Sequence, residues 1–455
     1  MTTAPPVSGA WYLGKKLPPL GLAYVAAALE KAGFQVEILD NYLLKKPIGE
    51  IKKIIQKSKP EIVGITCGSA TYRQCVETAK AIKETMPSCK VVVGGWHSSY
   101  LPESLLQHPH IDYVVVGEGE RAMVELATHI TRGKSNKDLG IIAGIAYRRN
   151  GNIVKNAPRF ISNMDDIPFP ARHLLPMQLY DRTIEFLDAK PADVMSIVRG
   201  CPFSCAFCET KKLWGNTCRM FSPNRIIDEV TYMIDKFNTK GIYFINDNFT
   251  LKKKETIEFC DLIKRKNIDI EWACDTRADL VSRELLGKMK QAGCKTIWFG
   301  VESGAPQILE RINRNLTLEQ IEKAVRLCME TRIKVACSFI LGFPDETRED
   351  QEATLKFAEK LDADWCQFNI LVACPDSRLY EEMLQRNIYD RLDDYLLTVK
   401  TKDFDYNSLL KIQRQFHRHY HRSPKRILRR IRREGAFNFI SRRLRFASRD
   451  ATGIA

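Results

Sequence analysis

The chain alternates two hydrophobic patterns over most of its length. Short β-branched runs, apolar on both faces, stand at "VEILD" (36–40), "EIVGIT" (61–66), "KVVVGG" (90–95) and "DYVVVG" (112–117). Continuous runs of this kind predict parallel strands covered on both sides, since a strand with one wet face would alternate. Helical spacing of apolar positions fills the gaps: "LGLAYVAAALEKAGF" (20–34), "IGEIKKIIQK" (48–57) and "YRQCVETAKAIKETM" (72–86). A further helix opens after a glycine turn in "GEGERAMVELATHI" (117–130). The series predicts a Rossmann-like, doubly wound parallel sheet over residues 1–135, with its ligand at the carboxyl ends of the strands. A central first strand should precede Pro5–Pro6, but only "MTTA" stands there, so that strand is expected to be very short or to start before the numbering.

Proline punctuates residues 136–192, as in "IPFPARHLLP" (167–176), and predicts an interdomain linker. The strand–helix alternation then resumes over 193–375. Its strands are expected at "DVMSIVR" (193–199), "GIYFIND" (241–247), "IEWACDT" (270–276), "TIWFGVES" (296–303), "KVACSFILG" (334–342) and "ADWCQFNIL" (363–371). Six such units predict a partial (βα)6 barrel with its site at the C-terminal strand ends. Residues 376–455 read as a basic, helical C-terminal region.

Composition narrows the class. A chain of 455 residues suggests about three domains. No apolar run is long enough to span a bilayer, and "MTTAPPVSGAWYLGKK" lacks the build of a signal peptide, so the cytoplasm is the expected compartment. Fourteen cysteines are too sparse for a disulfide scaffold and are expected as thiols or metal ligands. The net charge of +15 sits almost wholly in the tail, where residues 411–449 hold 14 Lys or Arg against one acidic residue. The body is nearly neutral and offers no basic, aromatic groove, so nucleic acid is not an expected partner.

The candidate chemistry lies in "RGCPFSCAFCET" (199–210), just after the barrel's first expected strand. Four thiolates would close a structural zinc site or a fully ligated cluster. Three in one loop, at Cys201, Cys205 and Cys208, can hold three irons of a [4Fe–4S] cube and leave the fourth for a small molecule; a zinc knuckle would need a fourth ligand, and only Cys218 is near in sequence.

This CxxxCxφxC pattern, with φ aromatic, resembles the signature of the radical S-adenosylmethionine (SAM) enzymes. The resemblance implies Cys201, Cys205 and Cys208 as ligands of one [4Fe–4S] cluster and places Phe207 near the SAM adenine. It continues at "INDNFT" (245–250), with Asp247 and Asn248, at "GVESG" (300–304), with Glu302 and Ser303 facing SAM, and at "ILGFPDET" (340–347), with Gly342. "ACPDSRLYE" (373–381) resembles the close after the sixth strand, although Cys374 and Asp376 depart from the commoner form. Cys366 and Cys374 flank that strand end and are candidates to approach substrate, whereas Cys67, Cys75, Cys260, Cys274, Cys294, Cys328 and Cys337 read as core.

The N-terminal part resembles the cobalamin-binding domain of the cobalamin-dependent (class B) radical SAM subfamily, on "PPLGLAYVAAALEKAGF" (18–34), "GGWHSSYLPE" (94–103) and "VVGEGE" (115–120). It implies cobalamin contacts from Pro19, Leu20, Thr66, Ser69, Ala70, Thr71, Gly94, Gly95, His97, Gly117, Glu118 and Gly119. No DxHxxG sequence is present to supply a lower cobalt ligand, and for His97 a tail contact or a structural role is preferred to cobalt ligation. The implied activity is transfer of a methyl from SAM, through methylcobalamin, to an unactivated sp3 carbon, with ferredoxin or flavodoxin as electron donor. A peptide or protein substrate is the leading reading, and the protein glutamine C-methyltransferase of methyl-coenzyme M reductase is among the enzymes this chain resembles. Lipid or natural-product methylases and a non-methylating oxidase or cyclase are the alternatives. The tail "FHRHYHRSPKRILRRIRREGAFNFISRRLRF" (416–446) is expected to cap the barrel, with peripheral membrane contact as the second reading.

Overall fold

The computed structural model describes residues 2–3, 17–132, 136–245, 247–424, 426–428 and 431. It separates into two compact units, Met1–Arg182 with Arg199–Pro202 and Glu209–Ser222, and Thr183–Val198 with Phe203–Cys208 and Pro223–Ala455.

In the first unit, strands β1 (Thr2–Thr3), β2 (Ile62–Thr66), β3 (Lys90–Gly94) and β4 (Tyr113–Val115) run parallel. Helices α1 (Leu20–Lys31), α2 (Ile48–Ser58), α3 (Tyr72–Thr85) and α4 (Gly119–Thr131) intervene. Leu29 of α1, Leu126 of α4 and the strand residues Val92 and Val115 share one buried cluster, which is why these runs are apolar on both faces. Of the first strand, the described residues include Thr2–Thr3. Two expectations change. The run 36–40 forms no strand among the described residues and makes only a single bridge, at Leu39. The expected linker 136–192 begins as part of the sheet: β5 (Ile145–Arg149) pairs antiparallel with β4, and β6 (Asn152–Lys155) pairs with β5. Asn150 and Gly151, with φ of +50° and +81°, make its two-residue turn.

The second unit carries six parallel strands in chain order: β7 (Ala192–Met195), β8 (Gly241–Phe244), β9 (Glu271–Thr276), β10 (Cys294–Glu302), β11 (Lys334–Leu341) and β12 (Trp365–Ile370). Helices α5 (Pro223–Phe237), α6 (Lys253–Arg265), α7 (Arg283–Gln291), α8 (Leu318–Glu330) and α9 (Arg348–Leu361) connect them. Every strand expected from the sequence is present, and β7 and β12 are the sheet's two edges. The β12 edge is covered by α10 (Tyr406–His421). His421 Nε2 lies 2.7 Å from the Cys366 carbonyl, and Gln413 Nε2 donates to the Phe368 carbonyl at 2.8 Å. Residues 432–455, most of the basic tail, lie outside the described residues.

Candidate active site

In the first unit the expected ligand loops meet at the carboxyl ends of β2, β3 and β4. Cys67 N–H donates to the Gly94 carbonyl at 2.7 Å, His97 N–H to the Cys67 carbonyl at 3.1 Å, and Gly117 N–H to Ser99 Oγ at 2.9 Å. Around this junction Thr66, Ser69, Ala70, Thr71, Gly94, Gly95, Gly117 and Gly119 all keep open surface. Gly95 has a φ of +106°, and a Cβ there would lie 2.8 Å from the Cys67 carbonyl oxygen, so only glycine fits. Pro19 and Leu20 begin α1, which packs on α4. Trp96, between Gly95 and His97, is exposed.

Two of the expected cobalamin contacts serve the protein instead. His97 is fully buried, with Nδ1 3.0 Å from Ser69 Oγ, Nε2 2.9 Å from Ser104 Oγ and the Tyr72 ring at 5.0 Å. Burial pushes its imidazole down to about 4, so it stays neutral, and both ring nitrogens are occupied. Glu118 is also buried, accepting from Arg199 Nη1 at 2.9 Å, Arg219 Nη1 at 2.8 Å and the Ile161 N–H at 2.6 Å. Arg199 also pairs with Glu120, and its guanidinium lies over the Trp214 ring at 4.9 Å. This network fixes the residue that leads into Gly200 and Cys201. Gly200 adopts a φ of +89°, and any Cβ would run into the Thr217 carbonyl.

In the second unit the segment Phe203–Cys208 is pinned from several sides. Ala206 N–H donates to the Ile312 carbonyl at 2.9 Å, Leu379 N–H to the Ala206 carbonyl at 3.1 Å, and Asn313 Nδ2 to the Ser204 carbonyl at 2.9 Å. Arg277 lies over the Phe203 ring at 3.7 Å and donates to the Arg314 carbonyl at 3.1 Å. Arg314 places Nη1 3.5 Å from Cys205 Sγ and Nη2 on the Gly300 carbonyl. Nη2 also lies 3.5 Å from Glu302 Oε1. Burial raises the Glu302 carboxyl above its ordinary range while Arg314 and Arg277 oppose that shift. Glu302 follows a bulge in β10 and has a φ of +73°, a strained backbone of the kind that gathers at sites.

Phe207 packs against Phe343 with centroids 6.1 Å apart. The Gly342 N–H that begins the turn after β11 donates to Glu346 Oε2 at 2.5 Å, and burial pushes the Glu346 carboxyl up to about 7. Asp247 stays partly open in the loop after β8, beside the buried Asn248. Ser303 is wholly buried, its hydroxyl 3.2 Å from Thr354 Oγ1 and accepting from the Ala305 N–H at 3.1 Å, so it braces the turn and does not face a ligand. Cys366 is corrected in the same way. It is wholly buried opposite Cys337, on the helix-covered face of the sheet, and cannot approach substrate. Cys374 keeps open surface, and the seven cysteines read as core are all buried.

All fourteen cysteines are free thiols. Among the described residues no three His, Cys, Asp or Glu side chains converge as a preformed metal site. The donor chemistry nevertheless fits an iron–sulfur cluster: three thiols in eight residues, partly open at Cys201 and exposed at Cys208, with a buried guanidinium against the thiol of Cys205. Sequence reading had not singled out Arg199, Arg277 or Arg314. The signal for Arg314 was "NRN" (313–315), whose two asparagines take left-handed backbone and fix the arginine between them.

Comparison with known proteins agrees with this arrangement. Residues 12–127 match the B12 binding domain family and residues 195–358 the radical SAM superfamily. An uncharacterized methyltransferase of Pyrococcus horikoshii is 36% identical over 92% of this chain and 91% of its own. The anaerobic magnesium-protoporphyrin IX monomethyl ester cyclase of Rubrivivax gelatinosus is 29% identical over 83% of this chain and 68% of its own. The radical S-adenosylmethionine methyltransferase TsrM from Kitasatospora setae, solved with cobalamin and a [4Fe–4S] cluster bound, shares the fold at a TM-score of 0.69 and 20% identity, over 86% of this chain and 76% of that one. With a B12 binding domain ahead of a radical SAM domain, the chain belongs to the cobalamin-dependent radical SAM methyltransferase family.

Proposed function

We propose that the protein methylates an unactivated sp3 carbon of a peptide or protein side chain or backbone. The observation that carries the reading is the three-thiol loop after β7 of a six-stranded parallel barrel sheet, in one chain with a B12 binding domain. Bound together, cobalamin, SAM and a [4Fe–4S] cluster supply a transferable methyl group and a radical able to take hydrogen from such a carbon.

The chain's own part is to hold and position. Cys201, Cys205 and Cys208 would ligate the cluster, with the Arg314 guanidinium stabilising the Cys205 thiolate. Phe207 and Phe343 offer an aromatic wall for an adenine, Glu302 and Asp247 are acceptors for the polar end of SAM, and the turn at Gly342 is fixed by Glu346. In the first unit, Gly94, Gly95, Gly117 and Gly119 keep open surface on which a nucleotide tail would lie. For the substrate, partly open positions of β11 and β12 include Ser338, Gln367 and Asn369, with Gln367 Nε2 donating to Asn369 Oδ1 at 2.9 Å. Such hydrogen-bonding groups suit a peptide better than the unbroken apolar wall a lipid skeleton would want. The reductant would come from a ferredoxin or flavodoxin, and free thiols suit the cytoplasm.

The test is anaerobic. After reconstitution with iron, sulfide and hydroxocobalamin, methyl-labelled SAM and a reductant should transfer label first to protein-bound cobalamin and then to a peptide. Cleavage of SAM to 5′-deoxyadenosine with no label on cobalamin would instead favour an oxidase or cyclase.

A further inference from the structure

The second unit holds a carboxylate that no step above uses. Asp275 stands one residue before the end of β9, in register with Trp298 of β10. Its neighbour Cys274 turns toward Cys328 of α8, so Asp275 faces the opposite side, the barrel interior, and keeps open surface there. Tyr243 of β8 sets its hydroxyl 2.6 and 2.7 Å from the two carboxylate oxygens. One O–H brings one proton and no charge. Phe186 packs edge-on against both Tyr243 and Trp298, at 4.8 and 5.7 Å, so three aromatic rings gather beside the acid. No cation among the described residues pairs with Asp275, and burial pushes its carboxyl up to about 7.

We propose that Tyr243, Asp275 and Trp298 form the substrate subsite for a cationic group, an ammonium or a guanidinium. A largely buried carboxylate is stable only with compensating charge, and none comes from the described residues. Aromatic faces attract the same ions through the ring quadrupole. The position near the C-terminal end of β9 is where a barrel presents its chemistry. The assignment rests on the functional reading above in that substrate enters the barrel interior, and it narrows the peptide substrate to one with a basic side chain or free amine near the methylated carbon.

The test is equilibrium binding to the full chain at pH 8, by calorimetry, with three probes: N-acetyl-lysine methylamide, N-acetyl-arginine methylamide and the neutral N-acetyl-norleucine methylamide. Wild type should bind at least one cationic probe about tenfold or more tightly than the norleucine probe. Asp275→Asn should lose that preference, and Tyr243→Phe should weaken it severalfold. A lysine preference assigns an ammonium and an arginine preference a guanidinium. No binding of either cationic probe, equal binding of all three, or a preference that survives Asp275→Asn overturns the subsite. The amide variant should melt no lower than wild type, since it removes a buried charge, so lost binding cannot be laid to misfolding. Because no turnover is involved, cation binding without methyl transfer would overturn the function and leave the subsite. Methyl transfer without cation preference would do the reverse.

Discussion

Arg314 shows how much one side chain here can carry. Its guanidinium meets the Cys205 thiol, the Gly300 carbonyl and the Glu302 carboxylate, all in a buried setting. Arg314→Met would remove the ion-pair partner of the buried Glu302, and breaking such a pair costs about 3–5 kcal/mol. The expected outcome is a lower melting temperature together with less iron and sulfide per chain after anaerobic reconstitution, with Arg314→Lys intermediate. Full iron retention in Arg314→Met would sink its role beside the cluster thiol. His97 gives the pH dependence. Its folded pKa, about 4, lies below the ordinary value of 6.5, so the folded state refuses a proton that the unfolded chain accepts. Stability is therefore whole above pH 6.5 and falls as the pH drops toward 4, by up to about 3 kcal/mol. Ser69, Ser104 and Tyr72, which face the ring, are neutral. Chemical denaturation followed between pH 7 and 4 should show that slope, and His97→Gln should flatten it.

At the scale of elements, legibility followed the source of each element's stability. All six barrel strands were readable because each carries a set of buried apolar side chains in a short run between helical patterns. The run 36–40 has the same composition, yet among the described residues it makes only a single bridge, at Leu39, since composition alone supplies no partner edge. The hairpin β5–β6 was hidden for the opposite reason: prolines dominate 136–192, while its one turn signal, Asn150–Gly151, is two residues long. At the site, the thiol loop and glycine turns could be read from spacing, but Ser303, Glu118 and Cys366 could not be assigned, since nothing in a local pattern says which way a polar side chain turns. The cover of the β12 edge is likewise a tertiary fact. The carbonyls of Cys366 and Phe368, two residues apart, project to one side and are met by His421 and Gln413 of α10. Because His417 Nε2 also lies 3.1 Å from the Phe368 carbonyl, it is the triple variant Gln413→Ala/His417→Ala/His421→Ala that should leave both unpaired, at about 1–3 kcal/mol each, and open a strand edge to other chains. Earlier melting and rising light scattering on heating are expected. A variant as soluble and as stable as wild type would show that the helix covers the edge by packing alone.

Across the whole molecule, the features that would hold cobalamin and those that would hold the cluster have separate structural causes, and this separation can be tested. The junction of β2, β3 and β4 depends on Gly95, whose positive φ and approach to the Cys67 carbonyl exclude any side chain. The barrel loop depends on Cys205 and the groups pinning Phe203–Cys208. Gly95→Val should therefore abolish hydroxocobalamin binding, read from the protein-bound corrin spectrum, while iron content and SAM cleavage to 5′-deoxyadenosine persist. Cys205→Ala should do the converse, keeping cobalamin and losing the cluster and all radical chemistry. Neither variant should methylate, because the proposed reaction draws its methyl group through one cofactor and its radical through the other. If Cys205→Ala still turned over substrate, the radical mechanism would be wrong. If Gly95→Val transferred methyl normally, cobalamin would have no part in the reaction, and the N-terminal sheet would be a scaffold that has kept the shape of its binding loops without their use.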